Sequence, residues 1–208
     1  MGLDLVELVI AVEDTFALSI PDAEASQIGT PGQLIDYLVA YLPPSGAAAP
    51  DLTSRALDRL RHLASVRLSI DCDAIHPDTT LASVFDGALG AQAWQDVLAE
   101  VGATHWPQIG RRRFLERALT PHVETFKAAA EFLVARCPTA LQGGQPGWTR
   151  MQVAEVVRLL LREECGIEHY SAHSKWGRDL GLDWARLKPN NMLQTDKAAM
   201  EACFARDC

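Results

Sequence analysis

Apolar residues recur at helical spacing along most of the chain. In "LDLVELVIAVEDTF", Leu5, Leu8, Val9, Val12 and Phe16 form one stripe and Asp4, Glu7 and Asp14 lie opposite, which predicts an amphipathic helix with an acidic outer face. Asp4 and Glu7 near its start also suit the positive end of the helix dipole. "SIPDAEASQI" reads as a turn and a short helix, and "TPGQLIDYLVAYL" as a helix capped by Thr30 with Pro31 at its first position. In "DLTSRALDRLRHLASVRL", Leu57, Leu60, Leu63 and Ala64 share a face. The segments "AQAWQDVLAEVG", "RRRFLERAL" and "HVETFKAAAEFLVARC" are helical by period and by their Ala, Leu, Arg and Glu content. Near the end, Thr149 caps a helix whose stripe is Val153, Val156, Val157, Leu160 and Leu161, and Gly166 stops it. A last short helix is predicted from about Thr195. No alternating β-branched run competes, so the fold class is all-α.

Two breaker-rich stretches, "PPSGAAAP" at 43–50 and "PTALQGGQPGW" at 138–148, act as linkers. They divide the chain into residues 1–42, a helical middle segment 51–137 and a last segment 149–208. A weak internal repeat crosses this division. "LDRLRHLASVRLSIDCDAIHPDTTL" and "VVRLLLREECGIEHYSAHSKWGRDL" each read as a helix, an Ile followed by an acid, and a polar loop returning to Leu.

The 208 residues carry 27 acids and 19 lysines and arginines, a net charge of −8. The imbalance sits at the start: residues 1–50 hold Asp4, Glu7, Glu13, Asp14, Asp22, Glu24 and Asp36 with no Lys or Arg, and the remainder is close to neutral. Such a surface steers basic partners and repels nucleic acid and anionic lipid. No apolar run is long enough to span a membrane, and no basic stretch precedes an apolar one as in a secretory signal, so a cytoplasmic protein is expected. Cys72, Cys137, Cys165, Cys203 and Cys208 are scattered without a C-x-x-C pair, the pattern of reduced thiols.

The motifs of the first segment carry a resemblance. The L-D-x-V-E-L-V run, the E-D-x-F helix end, the I-P-D turn and the T-P-G-x-L-I-D-Y-L helix, about 40 residues together, resemble the second half of an acyl carrier protein, from its second helix to its last. Residues 149–183, closing on "DLGLD", are similar to a carrier's first helix and following loop. The resemblance therefore implies a four-helix bundle assembled from the two ends of the chain in permuted order, within one chain or by segment exchange in a homodimer. The wider layout, with "LTSRA", "HPDTTLAS" and "WTR", is similar to a group of bacterial acyl-carrier or phosphopantetheine-binding proteins.

A carrier attaches phosphopantetheine to the serine of an Asp-Ser-Leu motif, and no Asp-Ser pair occurs here. Aligning "GLDLVEL" places Gly2 at that serine, and aligning "DLGLD" places Trp184 there. Neither has a hydroxyl, so no phosphopantetheine is expected on them. What the resemblance leaves is a recognition surface, in which Asp4, Glu7, Glu13 and Asp14 match the acidic second-helix face that carriers present to basic patches of acyl-processing enzymes.

Other constellations are weaker. His76-Pro77-Asp78 reads as a turn. His169 and His173 flank Ser171 in a loop with no third ligand near, so no metal site is expected. Arg111, Arg112 and Arg113 form a dense basic run suited to phosphate or an acidic protein surface, and to plain solvation. Trp94, Trp106, Trp148, Trp176 and Trp184 are dispersed as anchors. There is no Ser-His-Asp elbow, phosphate-binding glycine loop or facing carboxylate pair. The expectation is a non-catalytic, acyl-carrier-like interaction protein that binds a fatty-acid or polyketide enzyme or a true carrier. The alternative is a working carrier modified at an atypical serine, Ser171 or Ser174.

Overall fold

Capping side chains set where several of the helices begin. The computed structural model describes residues 5–45, 51–103, 123–142 and 147–182, and the helices within them are α1 (Leu5–Phe16), α2 (Asp22–Ala25), α3 (Pro31–Tyr41), α4 (Leu52–Leu68), α5 (Leu81–Val84), α6 (Gly87–Val101), α7 (Phe126–Arg136), α8 (Arg150–Cys165) and α9 (Trp176–Leu180). Thr30 accepts from Gln33 N at the start of α3, and Asp51 accepts from Ser54 N at the start of α4. At α8, Thr149 and Gln152 close a reciprocal capping box, and Gly166 ends the helix in the left-handed conformation at φ 67°. No strand occurs among the described residues, only isolated bridges between Pro44 and Trp148 and between Thr80 and Thr125. The all-α expectation holds. The helices expected in "RRRFLERAL" and from Thr195 lie outside the described residues.

Two boundaries differ from the sequence reading. Val123 to Thr125 of the segment "HVETF" are not helical, while His122 lies outside the described residues; α7 begins at Phe126 because Thr125 caps it, accepting from Ala128 N, and pairs with Thr80. Residues 138–141 form a tight 3-10 turn in which Pro138 and Leu141 are buried. Arg55 and Arg59 of α4 donate to Leu141 O and Ala140 O at 3.1 and 3.0 Å, so this stretch is clamped to the core.

The helices form two groups with matching connections. In one, α4 packs on α6 and α7; in the other, α8 packs on α1 and α3. After α4 the chain turns through left-handed Ser69 to Ile70, and after α8 through left-handed Gly166 to Ile167. The loop then bonds the entrance of the group's last helix in the same way. Leu81 N donates to Glu124 O and Lys127 N to Pro77 O, both at 2.8 Å; Trp176 N donates to Gly29 O at 3.3 Å and Gly32 N to Ala172 O at 2.9 Å. The repeat seen in the sequence thus has a structural counterpart, with one correction of register. The partner of Leu81 is Trp176, not Leu180, because the second loop is shorter and the indole fills the space that Leu81 fills, donating Nε1–H to Ile28 O at 2.7 Å. One group is continuous in sequence; the other is assembled from the two ends of the same chain.

The groups share one hydrophobic cluster. α8 lies against α7 as well as α1 and α3, Thr15 Oγ1 donates to Ala135 O at 3.0 Å, and Phe16 meets Trp148 edge to face at 4.9 Å between ring centroids. Where the chain crosses between groups, Trp148 N donates to Pro43 O and Ser45 N to Trp148 O. A Cβ on Gly147 would stand 2.4 Å from Pro44 O, and its φ is 114°, so this close crossing requires glycine.

Candidate functional site

The outward face of α1 carries two of the four acids singled out in the sequence. Glu7 and Asp14 are exposed and lie two turns apart, with half-exposed Ile10 between them. Glu13 is different: it is half-buried, and its Oε1 accepts from Ile20 N at 2.6 Å and Ser19 Oγ at 3.2 Å. That carboxylate fixes the turn into α2. Asp4 lies outside the described residues, as do Gly2 and Trp184, whose identities alone deny them an acceptor oxygen. Asp22 of α2 and Asp36 of α3 are exposed as well, and Asp36 pairs with Arg150 of α8.

The matching groups reveal a second position of interest. α1 and α6 each end at a left-handed residue, Ala17 and Gly102. Counting back equally from the two reaches Gly2 and Gly87. Gly87 is exposed at the first position of α6, with φ 69° and nothing within 4 Å of where a Cβ would stand. Asp86 precedes it and accepts from its N–H at 2.9 Å; Leu89, two residues on, is 85% exposed. The position is open to solvent, but its left-handed backbone favours glycine over any side chain, and it offers no nucleophile. The sequence held one clue, the pair Asp86-Gly87 ahead of an apolar helix.

The other candidates do not assemble into a reaction centre. Ser171 and Ser174 are tied to each other: Ser171 N donates to Ser174 Oγ at 3.0 Å and the hydroxyls stand 3.2 Å apart. His173 contributes its backbone N–H to Ser171 Oγ at 3.3 Å, a turn-forming contact. His169 and His173 are exposed in a loop, and no group of three His, Cys, Asp or Glu suited to a metal ion occurs among the described residues. His76-Pro77-Asp78 forms a turn, closed by Thr79 N donating to His76 O. Trp94, Trp148 and Trp176 are buried anchors; Trp106 and Trp184, like Arg111, Arg112 and Arg113, lie outside the described residues. Burial, with the nearby Glu164 and Glu7 carboxylates, pushes the Cys165 thiol up to about 11, so it is a poor nucleophile at neutral pH.

A shallow groove of about 120 Å³ between α7 and α8 is floored by Phe132, Ala135 and Leu159. Its charges are already paired, Arg162 with Glu131 at 2.8 Å and Arg136 with Glu163 at 3.1 Å. Burial raises the Glu163 carboxyl above its ordinary value, opposed by Arg136. No helix among the described residues is long and apolar enough to cross a membrane. No protein-family model matches the chain, and no solved structure matches it.

Proposed function

We propose that this chain is a non-catalytic, acyl-carrier-like protein that acts by binding a protein partner through the acidic face of α1. The observation that carries the reading is the packing of α8 against α1 and α3, the place a carrier's first helix would take, combined with glycine where the carrier serine would stand. Phosphopantetheine does not fit this arrangement: Gly2 and Gly87 have no hydroxyl to accept it, and Ser171 and Ser174 are engaged in a turn. The partner is a basic surface, with a fatty-acid or polyketide enzyme or a true carrier as the favoured class. Exposed Glu7 and Asp14 are its contacts; Glu13 is excluded by its commitment to Ile20.

The test is intact mass after incubation with coenzyme A and a broad-specificity phosphopantetheinyl transferase. The mass should be unchanged, and a gain of one phosphopantetheine would restore the working-carrier alternative. The binding half has its own measurement. Affinity for a carrier-recognising ketoacyl synthase, read by calorimetry at low salt, should fall about tenfold in the Glu7→Lys, Asp14→Lys double variant, the scale of a few exposed charge contacts. Equal affinity would remove the α1 face from the reading.

A further inference from the structure

Helix α3 ends on a pair of aromatic rings, the exposed Tyr41 and the half-buried Tyr37. Tyr37 and Tyr41 lie one turn apart and stack with centroids 4.5 Å apart and planes at 29°. Tyr41 is 63% exposed, and its hydroxyl donates to Glu24 Oε2 of α2 at 3.4 Å. The Tyr37 phenol is held protonated well above its ordinary value, by burial first and then by the same Glu24 carboxylate. Hydroxyls that donate to an anion leave their rings richer in electron density and better faces for a cation.

Three negative features converge here. The ring faces carry the negative lobe of the aromatic quadrupole. Glu24 adds a carboxylate, with which no lysine or arginine pairs among the described residues. The C-terminal end of α3 adds its dipole, and its last turn has no basic residue. Nor can the neighbouring sequence supply a cation, since residues 1–50 hold no Lys or Arg. Arg150, a basic side chain of α8 that reaches α3, is engaged by Asp36.

We propose that Glu24, Tyr37 and Tyr41 form the anchor for an arginine side chain on the surface of a protein partner. A guanidinium is favoured over an ammonium because it is planar, stacks flat on a tyrosine ring and can donate to the carboxylate at the same time. Tyrosine and arginine are also the residues that concentrate at the energetic centres of interfaces. The proposal rests on the reading that the chain works by binding a protein. It adds to the α1 contacts a separate anchoring point at the corner between α2 and α3.

The experiment uses the full chain and fluorescein-labelled nona-arginine, with affinity read by anisotropy at fixed low salt and nona-lysine as comparator. Tyr41→Leu and Tyr37→Leu/Tyr41→Leu keep the charge and remove the rings; Glu24→Gln keeps the shape and removes the charge. Tyr41 is exposed, so its replacement leaves the core intact, which circular dichroism verifies. Each variant should bind nona-arginine about two- to fivefold more weakly, with a smaller loss for nona-lysine in the tyrosine variants. Upfield ring-current shifts of the arginine Hδ protons should appear with the native chain and vanish in the double variant. Unchanged nona-arginine affinity in both tyrosine variants overturns the anchor. Glu7→Gln/Asp14→Asn separates it from the α1 reading: if that variant alone loses affinity, α1 stands and the anchor falls; if only the anchor variants lose it, the reverse holds.

Discussion

Glu163 and Glu13 are both written in the sequence as acids on helices with polar outer faces, yet neither behaves as a surface charge. Glu13 is held by the backbone of Ile20. Glu163 lies half-covered between α7 and α8, with Arg136 and Arg162 beside it and Glu164 next in the chain. Burial outweighs the arginines, so the folded carboxyl binds its proton more tightly than the unfolded one. A raised value of this kind contributes stability below the ordinary carboxyl range, lost as pH rises through the folded value. Stability of the native chain relative to Glu163→Gln should therefore fall as pH rises from about 4 towards 7, measured by urea unfolding at several pH values. A flat difference would show that Arg136 cancels the burial effect. Which acids are free was illegible from spacing alone, because it depends on backbone groups and helices distant in sequence.

At the scale of the element, helix faces were readable because periodicity and burial have the same cause. Leu8 and Val12 on α1, and Val153, Val156 and Leu160 on α8, are fully buried as their spacing requires. What periodicity does not contain is how a helix end is satisfied from elsewhere. The start of α4 is an example: Glu155 of α8 accepts from Leu52 N, Thr53 N and Thr53 Oγ1 at 2.8, 2.9 and 2.6 Å. Its negative charge also faces the positive end of a 17-residue helix. Glu155→Ala should cost about 1–3 kcal/mol, the range for stranding partly buried donors, and Glu155→Gln less, since an acceptor remains. Thermal unfolding of the two variants decides this; equal small losses would mean that water replaces the carboxylate. The clamped turn at 138–141 and the late start of α7 escaped the sequence reading for the same reason.

At the scale of the molecule, the repeat was faintly visible in sequence and its register was not, since Trp176 and Leu81 have little in common beyond filling the same kind of space. The arrangement makes a prediction about fragments. Residues 1–46 hold helices of 12, 4 and 11 residues, shorter than water tolerates in isolation. Leu5, Leu8, Val12 and Leu38 are almost wholly buried in the folded chain, each worth about 1.5–3 kcal/mol when covered. Alone, this fragment should show a coil spectrum by circular dichroism and gain helix on addition of residues 51–208. Full helicity without the complement would overturn the dependence on α8.

The split construction of one helical group also sets a timetable on the ribosome. The group formed by α4, α6 and α7 is complete in the nascent chain before any of α8 exists, whereas α1 and α3 are made first and are covered last. At a synthesis rate of roughly 5–20 residues per second, the leading helices wait on the order of ten seconds for the helix that covers them. During that interval their leucine and valine stripe is open to chaperones, and the finished middle of the chain is the first surface on which it can settle.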